Sequence, residues 1–76
     1  MSDTPALTGT RIIEDTADIL GITPDTLDPH APLVEQGLDS LRAVTLVETW
    51  RADGATVDFH EIMSLQTLDE WITALT

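Results

Sequence analysis

The sequence contains no cysteine. That excludes disulfide staples, zinc–thiolate sites and any thiol nucleophile of the chain's own. Cations are also scarce. Three arginines, Arg11, Arg42 and Arg51, stand against fourteen acidic residues, for a formal net charge of −11. Such a surface repels nucleic acid and anionic membranes. It suits partners with basic patches, met by fast, salt-sensitive association, or it serves solubility alone. No apolar run approaches the roughly 18 residues of a membrane span. No positively charged leader followed by an apolar core is visible, so a cytoplasmic location is expected. His30 and His60 lie far apart, and the acidic residues do not follow calcium-loop spacing, so no metal site is expected. There is no internal repeat and no low-complexity tract.

What is present is apolar material for one core. Of 76 residues, 42% are hydrophobic, and a domain this small buries only about 60% of its unfolded surface. The whole chain, 1–76, is expected to form one domain with its core at about 8–75. Thr4 is placed to cap a first helix, Pro5 to occupy its first position and Gly21 to end it. Ile13, Ala17 and Leu20 give that helix its apolar stripe. Gly9 and the surrounding threonines weaken its first turns. Three prolines, Pro24, Pro29 and Pro32, then forbid a regular helix, and "TPDTL" is short enough for a single turn. Leu27, Leu33 and Val34 are the expected pins of this long loop.

A second helix runs from about Ser40 to Asp53. At about 100° per residue from Leu41, the positions Leu46, Trp50, Ala43 and Val47 fall between about 140° and 240°, a core-facing stripe. Leu41 and Val44 fall outside it, at about 0° and 300°. They form a second apolar patch, covered by the long loop or read by partners. Asp58 and Glu61 have capping-box spacing ahead of a short helix, as do Thr67 and Glu70 ahead of a final amphipathic one bearing Leu68, Trp71, Ile72 and Leu75. No segment alternates with period two. The fold class is therefore all-α: a small three-to-four-helix bundle with a long loop between the first and second main helices.

No catalytic set emerges. Ser40 has no histidine near it in sequence, no carboxylate pair has acid–base spacing, and no glycine-rich loop cradles phosphate. His60 reads as a surface or helix-end residue, and Trp50 and Trp71 as core. What stands out is "QGLDSLRAV". Asp39 and Ser40 adjoin at a helix start where one cap suffices. If Asp39 caps, the Ser40 hydroxyl is left over. It then sits where free N–H groups and the helix dipole stabilise an attached anion. Gly37 leaves room for another macromolecule to approach. Arg42 is placed either to steady a phosphate or to pair with a neighbouring acid.

The stretch "EQGLDSLRAVTLVETWRADGATVDF", followed by "TLDEWITAL", resembles the carrier proteins of thiotemplated biosynthesis over residues 12–75. Within them it is most similar to the aryl carrier domains of siderophore pathways, commonly fused to an isochorismatase. The resemblance rests on Gly37-Leu38-Asp39-Ser40-Leu41-Arg42, on Trp50-Arg51, and on Thr67, Leu68 and Trp71. Peptidyl carriers usually have a glycine where this chain has Leu38. Fatty-acid carriers share the D-S-L triplet, but the two tryptophans are unusual for them.

The resemblance implies a non-catalytic carrier. Ser40 would receive 4′-phosphopantetheine from coenzyme A through a phosphopantetheinyl transferase, with Gly37, Asp39 and Arg42 in support. The group's thiol would take an acyl or aryl group from an adenylation enzyme and deliver it to a condensation or related acyl-accepting domain. The partner surface carried over is Leu38, Leu41, Val44, Phe59, Ile62 and Met63. A monomer, with no nucleic-acid or membrane partner, is expected. A peptidyl or polyketide acyl carrier is the alternative within the class. An acidic helical adaptor, with Ser40 as a mere cap, is the alternative outside it.

Overall fold

Thr8 opens the first helix in the computed structural model, which describes residues 7–76. Its hydroxyl accepts from the Arg11 N–H at 3.1 Å, and α1 runs Gly9–Leu20. Thr8 thus does what was expected of Thr4. Thr4 and Pro5 lie outside the described residues. Gly21, at φ 73°, ends the helix in the left-handed conformation that glycine adopts without strain. The buried stripe is Ile12, Thr16, Ala17 and Leu20, while Ile13 is half-buried at its edge. The polar Thr16 hides this phase in the sequence. Its hydroxyl is buried without a hydrogen-bond partner among the described residues.

The loop that follows contains two 3-10 turns, Pro24–Thr26 and Leu33–Gln36. Leu27 and Leu33 pin it to the core, 5% and 1% exposed. Val34 does not: it is 68% exposed. Neighbours in a tight 3-10 turn diverge by about 120°, so burying Leu33 turns Val34 outward. Backbone bonds complete the anchoring. The Leu33 N–H donates to the Gln66 carbonyl at 2.8 Å, and the Asp69 N–H to the Pro29 carbonyl at 3.0 Å. Gln36 braces the loop from within. Its side-chain oxygen accepts from the Asp28 N–H at 2.8 Å, and its amide donates to the carbonyls of Asp28 and Ala31.

Helix α2 spans Ser40–Ala52, α3 Phe59–Ser64 and α4 Leu68–Leu75, and no strand occurs among the described residues. The α2 stripe is buried as its angles predict: Ala43, Leu46, Val47 and Trp50. Trp50 and Trp71 meet edge to face at the centre, with ring centroids 6.2 Å apart, a favoured aromatic geometry. Each indole N–H finds an acceptor, Trp50 on Asp15 at 2.8 Å and Trp71 on the Ile62 carbonyl at 3.1 Å. Asp15 also receives Arg11, which bridges to Asp53 beyond the end of α2.

Asp58 caps α3 by accepting from the His60 N–H, without the reciprocal bond from Glu61 that the spacing suggested. Thr67 and Glu70 form the complete capping box. The Glu70 carboxylate accepts the N–H groups of Gln66 and Thr67, and these bonds hold its pKa below the ordinary carboxylate value. A folded pKa below the unfolded one adds stability that is complete above the unfolded value and fades as pH falls through the folded one. Glu70→Gln is therefore expected to lower the melting temperature at pH 7. The deficit should hold as the pH falls to the ordinary carboxylate value and shrink only in thermal melts taken below it.

Candidate functional site

The site is built by a turn, an anchor and a cap in four consecutive residues. Gly37 closes the second 3-10 turn at φ 111°, a backbone region that L side chains rarely adopt. Leu38 follows, 6% exposed, with its N–H on the Leu33 carbonyl at 3.0 Å. Buried Leu38 fixes where the next residues emerge. Asp39 is the N-cap, in extended conformation, and its carboxylate accepts the Arg42 N–H at 2.8 Å. The first bond of the helix runs from the Ala43 N–H to the Asp39 carbonyl.

Ser40 is consequently the first residue of α2, and it is exposed. Asp39 takes the capping role, so the serine hydroxyl is left without a partner among the described residues. The two-cap puzzle of the sequence has a geometric answer: one side chain ties the helix and its neighbour faces water. Ser40 and Leu41 also precede the first intrahelical bond, so their N–H groups have no partner within the helix. Arg42 does not take the ion-pair role open to it in the sequence. Among the described residues it pairs with no carboxylate, and its guanidinium instead donates to the Gly37 carbonyl at 3.1 Å.

The residues expected on a partner surface divide. Leu41 is 75% exposed and Met63 38%, while Val44 and Phe59 are half-buried. Leu38 and Ile62 are corrected to the core. Leu38 anchors the loop, and Ile62, fully buried, occupies the inward face of the short α3. Val34 was missed as a surface residue. It shares with Met63 a groove of about 400 Å³ floored by Leu33, Leu38 and Trp71. The 3-10 turn that exposes Val34 has no apolar period to betray it. His60 is exposed, its ring edge-on to Phe59.

This layout can hold a covalently added anionic group. Ser40 is exposed, its hydroxyl is without a partner among the described residues, and the helix start is positive. Residues 10–75 match the family described as "Phosphopantetheine attachment site", and the chain belongs to it. It is a carrier domain, and the group that defines its family is covalently bound 4′-phosphopantetheine.

Among curated proteins, the isochorismatase of Bacillus subtilis is 41% identical over 66 residues, covering 87% of this chain and 21% of that protein. Phenyloxazoline synthase MbtB of Mycobacterium tuberculosis is 44% identical over 57 residues, 75% of this chain and 4% of that protein. Acyl carrier protein ScoB of Streptomyces coeruleorubidus is 44% identical over 57 residues, 75% of this chain and 67% of that protein. The chain thus spans only a small part of the first two. No solved structure matches it. Among the described residues, no helix is long and apolar enough to cross a membrane.

Proposed function

We propose that this chain is an aryl-type carrier of nonribosomal peptide biosynthesis, of the siderophore kind, modified on Ser40. The observation that carries the reading is the exposed, unpartnered hydroxyl at the start of α2. Ser40 Oγ attacks the β-phosphorus of coenzyme A in the active site of a phosphopantetheinyl transferase. The P–O bond of the pyrophosphate breaks, 3′,5′-ADP leaves, and the hydroxyl proton passes to a base of the transferase. The added group supplies the thiol that this cysteine-free chain lacks, and with it a thioester linkage to the cargo. Ser40 anchors the group, Asp39 holds the helix start that presents it, and Gly37 keeps the approach open. The chain performs no bond chemistry beyond offering that hydroxyl.

The aryl assignment is supported by the Gly37–Arg42 motif, by Trp50-Arg51 and Trp71, and by likeness to an isochorismatase and a phenyloxazoline synthase. An adenylation enzyme is the loading partner and a condensation or related domain the acceptor, with the carrier monomeric and cytoplasmic. Partners meet it on Leu41, Val44 and Met63, with Val34 added from the loop. Loading assays with salicylate-, dihydroxybenzoate- and amino-acid-adenylating enzymes test the subtype. Faster acylation by the aryl enzymes is expected, and faster acylation by an aminoacyl enzyme would reassign it as a peptidyl carrier.

Leu41 is the residue through which the docking surface is most simply tested. Its side chain stands in water, so Leu41→Asp is expected to shift the melting temperature little. Loss of one apolar anchor should still slow acylation by about tenfold at limiting carrier. Acylation rates alongside thermal melts check both halves, and a collapse of the fold would place Leu41 in the core instead.

A further inference from the structure

Carboxylates outnumber cations by fourteen to three in this chain, so a guanidinium without a carboxylate needs a reason. Arg11 is paired with Asp15 and Asp53. Arg51 also meets no carboxylate among the described residues, but it lies in the last turn of α2, where the helix end favours a cation, at the opposite end from Ser40. Arg42 is two residues past Ser40 and is located at both ends. Its backbone N–H is held by the Asp39 carboxylate at 2.8 Å, and its Nη1 donates to the Gly37 carbonyl at 3.1 Å. The guanidinium is thereby laid along the turn that leads into Ser40, only 3.6 Å from where a Cβ of Gly37 would stand. A guanidinium has five N–H donors. One is used on this neutral carbonyl, and no other has an acceptor among the described residues.

A phosphodiester on Ser40 adds a permanent negative charge beside Asp39 and close in sequence to Glu35, both exposed. We propose that Arg42 is the counter-charge of that phosphate. Held in place before modification, its remaining N–H groups donate to the phosphate oxygens afterwards and offset the repulsion from Asp39 and Glu35. Arginine suits the role, because its planar fork matches two phosphate oxygens at once. The inference rests on Ser40 as the attachment point.

The test compares melting temperatures of the unmodified (apo) and phosphopantetheinylated (holo) protein for four chains: unaltered, Arg42→Gln, Arg42→Lys and Arg51→Gln. Each is modified to completion, with the group located on Ser40 by mass spectrometry before melting. Taking the holo-minus-apo difference within each chain cancels whatever a substitution does to the Gly37 turn itself. In the unaltered chain and in Arg51→Gln, modification is expected to move the melting temperature by less than about 1 °C. In Arg42→Gln it should lower it by about 2–4 °C at low salt, a gap that closes near 0.5 M salt as charges are screened. Arg42→Lys should recover part of the loss. The phosphodiester ³¹P resonance should move in Arg42→Gln and stay in place in Arg51→Gln. Equal holo-minus-apo differences in Arg42→Gln and the unaltered chain would overturn the counter-charge. A group found elsewhere than on Ser40 would instead overturn the attachment reading beneath it, before any melt is recorded.

Discussion

Trp50→Ala is expected to cost about 3–5 kcal/mol of folding stability, a large share of what a small domain possesses. The indole is fully buried and packs edge to face on Trp71, which is itself fully buried. Truncation empties the centre of the bundle where α2 and α4 meet. It also removes the donor at 2.8 Å from Asp15, leaving a partly buried carboxylate with Arg11 as its remaining partner. Urea unfolding measures the loss as a fall in midpoint at unchanged slope. Trp50→Phe should lose less, because a ring remains against Trp71. A change below about 1 kcal/mol for the alanine variant would mean that the two tryptophans are not the keystone of this core.

Ser40→Ala is expected to do the opposite: total loss of modification with an intact fold. The hydroxyl is exposed, spends no hydrogen bond among the described residues and follows the true cap, Asp39. Removing it should change stability by no more than about 0.5 kcal/mol. With coenzyme A and a promiscuous phosphopantetheinyl transferase, the unaltered chain should gain one phosphopantetheinyl group, and Ser40→Ala none at any enzyme concentration. Asp39→Ala makes a useful contrast. It removes a helix cap worth about 1 kcal/mol, so it should lower stability while leaving a modifiable serine. An adaptor in which Ser40 merely ties the helix would show the reverse, with Ser40→Ala destabilising and no modification in any chain.

Helices were legible in the sequence wherever caps and apolar period agreed. The α2 stripe and the Thr67–Glu70 capping box follow from spacing alone, and the same angles set Leu41 outside the stripe; that water rather than the loop covers it is shown by the structure. Ala17 and Leu20 of the expected α1 stripe are buried, but Ile13 lies at its edge, because Ile12 and the polar Thr16 complete the buried face. The loop was the least legible part. Its proline spacing said what it was not, but the bracing by Gln36 and the outward turn of Val34 come from irregular backbone with no period. Leu38 and Ile62 were carried to the surface by resemblance. Their burial reflects local needs, one anchoring the loop before Asp39 and the other packing a helix of six residues. Arg42 bonds to a carbonyl five residues earlier, a contact made possible by the turn at Gly37 and invisible in charge counts.

The division of labour between two adjacent residues is the centre of this account: Asp39 ties the helix and Ser40 stays free to be modified. The most direct measurement is the mass of the unaltered protein after incubation with coenzyme A and a transferase, followed by fragmentation to locate the addition. A gain of a single phosphopantetheinyl group, found on the fragment bearing Ser40 and on no other serine, is the predicted result. An unchanged mass under conditions that fully convert a known carrier, or an addition mapped to another residue, would contradict it.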